Sequence, residues 1–165
     1  MRLAYNESFS PSRKPPNYSY SVPLRPDTSL HIAAGPNRGL HLLDAKFRVQ
    51  KLGDAGLDGR DDEETNEKTS ERRGDFKRGD LYKMHAYRDA IPAARSVWIL
   101  YPGGEFRFFD ASGDESVATS PEELPESICG VGAIPFAPRA GSGLTGSPHA
   151  TARALLWRLL DSRPT

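Results

Sequence analysis

Three charged side chains of the sequence have the types and the spacing needed for hydrolysis of a phosphodiester. Asp44 and Lys46 stand two positions apart, and Asp27 follows Pro26 upstream. Residues two apart on a β-strand project on the same face, so we expect Asp44 and Lys46 side by side. Two carboxylates with the main-chain carbonyl of Ala45 form an oxygen set that suits Mg²⁺ or Mn²⁺. The neighbouring ammonium is then placed to hold the attacking water or help to deprotonate it, and to stabilise charge on the phosphate.

An antiparallel meander is needed to bring these side chains together. Three strands are predicted in the first part of the chain, at residues 17–24, 28–34 and 40–49. The segment 35–39 between the last two has the length and chemistry of a hairpin loop. The hairpin returns the chain towards Asp27, which lies opposite Asp44 or a few residues from it, depending on the register. Charges at alternate positions are also typical of an ordinary half-exposed strand, so the acid-x-Lys pattern alone leaves a solvated face as the alternative.

A helix is predicted at residues 81–91, with Asp80 as its cap. Lys83 and Tyr87 are four positions apart, so they share a face of this helix. Lys83 can neutralise a phosphate, and Tyr87 can stack on a base or donate to a phosphate, with Arg88 beside them. The alternative for Tyr87 is a place in the core. These three residues are predicted to bind DNA.

The remaining apolar segments predict an α/β fold built in layers. Strands are expected at residues 96–102, 105–109 and 131–137, and an amphipathic helix at 150–162. The first of these strands is apolar almost throughout, which is typical of a strand covered on both faces. The predicted order is therefore a three-stranded antiparallel meander, a helix, further strands and a C-terminal helix.

Length and composition are those of one domain with much loop. The chain has 165 residues, of which 37% are hydrophobic, and it contains 15 glycines and 14 prolines. Residues 1–16 are polar and end in Pro-Pro, so we expect an irregular lead-in to a domain that spans 17–165. Within that domain, residues 51–80 are crowded with charges and hold few apolar side chains, which predicts a flexible insertion.

Net charge and cysteine content bear on the partners and the compartment. The 22 basic and 22 acidic residues balance, so there is no global basic field, although a neutral protein can still carry a local basic groove. The single Cys129 excludes an internal disulfide and fits a reducing environment. No run approaches a membrane span, and the first twenty residues lack the apolar core of a signal peptide. A cytoplasmic protein is predicted.

The motifs together resemble the PD-(D/E)XK nuclease superfamily, whose pattern is a Pro-Asp at a strand start and an acid-x-Lys on the next strand. A polar residue and a tyrosine four apart often follow on a helix. The matching positions are Pro26-Asp27, Asp44-Ala45-Lys46, and Lys83 with Tyr87. More narrowly, "SYSVPLRPD", "HLLDAKFRV", "DLYKMHAYRDAI" and "ILYPG" look like the nuclease domain of an uncharacterised family associated with McrBC-type restriction systems. The resemblance covers most of residues 3–138.

The resemblance implies a restriction-endonuclease-like core and a Mg²⁺-dependent DNA endonuclease domain in anti-phage defence, with an AAA+ motor subunit as partner. One departure stands out, because the superfamily core opens with a helix whose Glu completes the metal site. Nothing before Tyr18 resembles that helix, and Glu7 lies in a polar stretch close to Pro11. Two interpretations stay open, a C-terminal fragment of a longer protein and a degenerate reading frame. The alternative function is a catalytically inactive nuclease-fold module that binds DNA or a partner protein.

Overall fold

The computed structural model describes residues 1–46, 78–112, 117–136 and 150–160. The strands in these ranges are β1 (Arg2–Tyr5), β2 (Thr28–Ile32), β3 (Gly39–Ala45), β4 (Ala94–Tyr101), β5 (Arg107–Asp110), β6 (Val117–Ala118) and β7 (Gly130–Pro135). The helices are α1 (Arg78–Ala90) and α2 (Ala150–Leu160), and a 3-10 turn covers Pro121–Glu123. All of the strands belong to one mixed sheet.

The sheet has the order β1-β2-β3-β4-β7-β5-β6. Strands β1, β2 and β3 are an antiparallel meander. Strands β3, β4 and β7 run parallel in the middle of the sheet, and β5 and β6 complete it in antiparallel fashion. Parallel neighbours require a long crossover, and α1 lies within the crossover from β3 to β4. The α/β fold class and the meander are therefore confirmed.

The two helices cover opposite faces of the sheet. On one face, Leu40 and Leu42 of β3 pack in a cluster with Met84 of α1. On the other face, Leu43 and Trp98 pack in a cluster with residues of α2. Because both faces of β3 are covered, even the positions on the side of Asp44 are apolar and buried until the strand ends.

The first strand of the meander is not the predicted one. Residues 2–5 of the expected irregular lead-in form β1, whereas the strand predicted at 17–24 is absent and that segment makes only isolated bridges, Phe9 to Leu24 and Ser10 to Tyr18. Of the alternating side chains that suggested a strand there, Tyr20 and Val22 are exposed and Tyr18 is half-buried. Prolines at 15, 16 and 23 explain the difference, because proline cannot donate to a ladder.

The segment from 6 to 27 forms a non-helical layer on the α1 face of the sheet. Phe9 is fully buried in the same cluster as the α1 side chains. The N–H of Tyr20 donates to the carbonyl of Ala90 at 3.0 Å, which attaches the segment to the end of α1. No helix occurs in residues 1–46, so the expected absence of the first core helix holds for this described range.

The other predicted elements are found with shifted ends. Helix α1 begins at Arg78, so Asp80 lies in its first turn, where a carboxylate interacts favourably with the helix dipole. Between the predicted strands at 105–109 and 131–137 the structure adds β6 and the 3-10 turn. Of the predicted insertion, residues 51–77 lie outside the described residues and 78–80 belong to α1. None of the described helices has the length and apolar character to cross a bilayer.

Candidate active site

The end of β3 brings the two predicted carboxylates together. In the antiparallel ladder Thr28 pairs with Leu43, so Asp27 falls opposite Asp44, the closer of the two arrangements that the sequence left open. The side chain of Asp27 continues the pairing beyond the ladder, because its Oδ2 accepts the N–H of Ala45 at 2.7 Å. Opposite residues of an antiparallel pair share a face, so both carboxylates lie on the α1 side.

Asp44 is a buried carboxylate held by two ammonium groups. The residue is only 2% exposed, because its side chain continues the buried row of Leu40 and Leu42. Lys46 Nζ contacts Oδ2, and Lys83 Nζ lies 3.2 Å from Oδ1 and 3.1 Å from Oδ2. A buried carboxylate without such partners would be strongly destabilising. The predicted pair of Asp44 and Lys46 is therefore a direct ion pair, and Lys83 joins it from α1.

Lys83 and Tyr87 share a face of α1, as their spacing predicted. The Lys83 ammonium lies 5.1 Å from the centre of the Tyr87 ring, within cation–π range. Partial burial lowers the pKa of Lys83, but its contact with Asp44 and the charges of Asp44 and Asp27 outweigh this and raise the pKa. Lys83 is thus a cation at neutral pH.

The ring of Tyr87 is part of the core. It is buried in the α1 cluster, which is the alternative that the sequence left open for this residue. Burial, followed by the charges of Asp44 and Asp27 against an opposing effect of Lys46, raises the pKa of Tyr87 to about 12. The phenol is therefore protonated at neutral pH, and it lies close enough to Asp44 and Asp27 for their charges to affect its pKa.

The third predicted DNA-binding residue lies elsewhere. Arg88 places a guanidinium N–H 3.4 Å from Cys129 Sγ, next to the start of β7. It is five residues after Lys83, about 7.5 Å along the helix axis. The structure does not bring Arg88 to the two carboxylates.

Glu7 does not join the two carboxylates either. Its carboxylate contacts Arg2 at 2.6 Å and His31 at 2.7 Å. Burial raises the pKa of Glu7, but hydrogen bonds from Asn17, His31 and Arg2 outweigh it and lower the pKa to about 2. His31 is four residues after Asp27, roughly 13 Å along the strand. The role of Glu7 in this arrangement is to attach the non-helical layer to the sheet.

The oxygen atoms at the end of β3 fit a hard divalent cation. They are the carboxylates of Asp27 and Asp44 and the main-chain carbonyl of Ala45. In the described part of the chain no three side chains of His, Cys, Asp or Glu converge on one point. Two carboxylates are what Mg²⁺ commonly takes from a protein, with waters and substrate oxygens as its other ligands.

The contact between Lys83 and Asp44 was missed by the sequence reasoning, which assigned Lys83 to DNA alone. The available signal was its position beside Met84 and four residues before Tyr87, both of which are buried. A lysine at the border of a buried helix face commonly lays its stem along apolar surface and extends its charge to a partner.

Comparison with known protein families agrees with the geometry of this strand end. A family model described as PD-(D/E)XK nuclease superfamily matches residues 1–105. The chain belongs to the PD-(D/E)XK nuclease superfamily. The match spans β1 to β4 and α1, and so includes every residue described at the end of β3. Nucleases of this superfamily generally use divalent metal ions and act on DNA. No match was found among curated proteins or among solved structures.

Proposed function

We propose that this chain is a Mg²⁺- or Mn²⁺-dependent DNA endonuclease domain that hydrolyses phosphodiester bonds. The observation that carries the proposal is the convergence of Asp27, Asp44 and Lys46 at one end of β3. Family membership alone would be compatible with a degenerate site. The convergence supports an intact one, since it supplies the two carboxylates and the lysine of the superfamily pattern in one place.

In this proposal, the carboxylates of Asp27 and Asp44 and the carbonyl of Ala45 hold the divalent cation. When bound, the cation acts as a Lewis acid on the phosphate. The ammonium of Lys46 donates hydrogen bonds to the attacking water and to the charge that develops on the phosphate. Because Asp44 is buried and its strand is fixed by ladders on both sides, its carboxylate needs little reorganisation when the substrate arrives.

The start of α1 forms the DNA-binding layer of the proposal. Lys83 neutralises a phosphate next to the one that is cleaved, and the phenol of Tyr87 donates a hydrogen bond to the DNA backbone. Both lie on the face of α1 that is turned towards Asp44. Arg88 is left out of this layer because its guanidinium lies against Cys129.

Cleavage of supercoiled plasmid in the presence of Mg²⁺ tests the proposal. We expect wild type to nick or linearise the plasmid, and Asp44→Asn and Lys46→Met each to lower the rate by about a hundredfold or more, because each removes a group that acts in the transition state. Asp110→Asn is the matched control. Asp110 is the last residue of β5, and its Oδ1 accepts the N–H of Ser112 at 2.8 Å, much as Asp27 accepts that of Ala45.

The control variant is expected to cut at the wild-type rate. Cleavage by Asp44→Asn and Lys46→Met at the rate of wild type would mean that the end of β3 is not the site. The control thus separates loss of these groups from any general effect of replacing a strand-end aspartate.

A second candidate function is a non-catalytic nuclease-fold module that binds DNA or a partner protein. It is favoured by the position of Glu7, the acid that precedes Asp27 in the chain and is bound by Arg2 and His31 instead of the metal site. A wild-type protein that shifts DNA on a gel and cuts none with either Mg²⁺ or Mn²⁺ would support this function over the first.

The biological setting of the proposal is a cytoplasmic restriction or anti-phage defence system, with an AAA+ motor subunit as partner. It is supported by the resemblance of "KMHAYRDAI" and the neighbouring motifs to McrBC-associated nuclease domains. Because the chain carries no net charge, its own affinity for DNA is expected to be modest, and a motor subunit would hold the DNA near the site.

A further inference from the structure

Both oxygens of Asp44 are engaged by lysine side chains. The ammonium of Lys83 contacts Oδ1 at 3.2 Å and Oδ2 at 3.1 Å, and Lys46 contacts Oδ2 as well. Lys83 thus contacts both of the oxygens that the buried Asp44 carboxylate could offer to an ion. Any cation that uses Asp44 as a ligand must therefore share the oxygens that Lys83 contacts.

Lys83 and a divalent cation are poorly compatible as simultaneous neighbours of Asp44. A Mg²⁺ or Mn²⁺ ion binds a carboxylate oxygen at about 2.1 Å. An ammonium in the observed position would then stand about 4 to 5 Å from the ion, where like charges at a partly buried site repel. One of the two must leave, or bind less well.

The two lysines differ in their freedom to leave. Lys46 belongs to the same strand end as Asp44, and its main-chain N–H is fixed to the carbonyl of Leu100 at 2.8 Å. Lys83 comes from another element, and its side chain is 41% exposed against 24% for Lys46. The ring of Tyr87 beside it offers the ammonium a second attraction that does not involve Asp44. Lys83 is thus the partner that can turn away.

We propose that Lys83 competes with the divalent cation for Asp44 and is transferred to a DNA phosphate when the cation binds. This inference rests on the proposed function, because it takes the same carboxylate as a metal ligand. Cation and DNA would then favour each other's binding. The cation releases Lys83 for the phosphate, and the phosphate draws Lys83 away from Asp44.

Mn²⁺ binding without DNA tests the competition independently of cleavage. Free Mn²⁺ is measured by electron paramagnetic resonance during titration of wild type, Lys83→Gln, Lys83→Met and Lys83→Arg. We expect the Gln and Met variants to bind Mn²⁺ about tenfold more tightly than wild type, because the competing charge is gone. The Met variant also lacks the ammonium but keeps an unbranched apolar side chain beside Tyr87. It therefore tests the loss of charge with a side chain chemically different from Gln.

Two controls isolate the position of the charge. Lys83→Arg keeps a cation at this position, so its Mn²⁺ affinity is expected to stay near that of wild type. Lys14→Gln makes the same change of net charge at an exposed lysine of the non-helical layer and is also expected to bind like wild type. Unchanged melting temperatures of these variants would verify that each is folded.

The outcomes separate this inference from the proposed function. If wild type binds Mn²⁺ and neither the Gln nor the Met variant binds it more tightly, the competition is wrong and the metal site stands. If Lys14→Gln gains as much Mn²⁺ affinity as Lys83→Gln, the gain comes from the change in net charge and the proposed competition is wrong. If no variant binds Mn²⁺, both the metal site and the competition are overturned.

Discussion

Strand β3 carries two buried polar side chains three positions apart, and the structure holds them in opposite ways. His41 faces the α2 side of the sheet and is fully buried among neutral hydrogen-bonding partners. Asp44 faces the α1 side and is paired with two ammonium groups whose side chains reach solvent. We call the His41 end of the strand the fixed end, because its hydrogen bonds are buried and neutral. We call the Asp44 end the exchangeable end, because its ammonium partners reach water.

The partners of His41 form a chain in which each donor meets an acceptor. Trp98 Nε1 donates to Ser96 Oγ at 2.7 Å. The hydroxyl of Ser96 then donates to His41 Nδ1 at 2.7 Å, and His41 Nε2 donates to the carbonyl of Asn37 at 2.8 Å. This assignment requires a neutral imidazole with its proton on Nε2, since Nδ1 must accept.

Asn37 extends this chain to two other elements. Its side-chain Oδ1 accepts the N–H of Ile128 at 2.7 Å, and its Nδ2 donates to the carbonyl of Arg158 in α2 at 3.1 Å. The hairpin after β2, the approach to β7 and the C-terminal helix are thus attached at one buried residue. A neutral, fully paired network fixes structure, whereas a cluster of exchangeable charges can serve binding and chemistry.

The largest expected contrast between the two ends is in stability. His41→Ala should lower the free energy of unfolding by about 3 kcal/mol, because it leaves a cavity and removes the partners of Ser96 and Asn37. Asp44→Asn should change it by less than about 1 kcal/mol, since an amide of similar shape remains and both ammonium groups can return to water. Urea unfolding of the two variants measures both values. If both variants lost the same free energy of unfolding, the distinction between a fixed end and an exchangeable end would be wrong.

A smaller effect is expected from acid. Burial lowers the pKa of His41 from its ordinary value of 6.5, so the unfolded chain takes up a proton that the folded chain does not. The stability associated with neutral His41 is therefore complete above pH 6.5 and is lost progressively as the pH falls below that value. Urea unfolding across this range should show a steeper loss for wild type than for His41→Gln. Parallel curves would show that His41 is not the residue responsible.

The smallest expected effect concerns the exchangeable end. Tyr87→Phe keeps the ring beside Lys83 and removes only the hydroxyl, whose pKa is raised to about 12. We expect the Mn²⁺ affinity to equal that of wild type, because the position of Lys83 depends on the ring. Plasmid cleavage should fall about fivefold or less, the effect of one hydrogen bond to the DNA backbone. A large change in Mn²⁺ affinity would assign the hydroxyl, and not the ring, to the control of Lys83.

Much of the strand end could be predicted from the sequence because its geometry is local. A short hairpin connects β2 and β3, and a period of two determines which side chains of β3 share a face. Asp27, Asp44 and Lys46 therefore follow from spacing together with the motif. Lys83 and Tyr87 follow from the period of a helix.

The burial of Asp44 could not be predicted in this way. Alternation alone assigned Asp44 to the polar face of a half-exposed strand, yet Leu40 and Leu42 on that same face are core residues of the α1 cluster. Only the packing of α1 on the sheet buries this face. The first strand was missed for a related reason, because β1 has four residues at the edge of the sheet and no pattern that distinguishes it from loop.

The bond from Asp27 to the N–H of Ala45 lies one step beyond the last ladder pair of β2 and β3. A slip of the hairpin by a single residue would turn one carboxylate to the opposite face of the sheet. A cation bound as proposed would therefore require correctly aligned strands, and it would stabilise them over misaligned pairings by a free energy that rises with the logarithm of its affinity. The proposed metal ion would thus also favour the correct register of β2 and β3 while the chain folds.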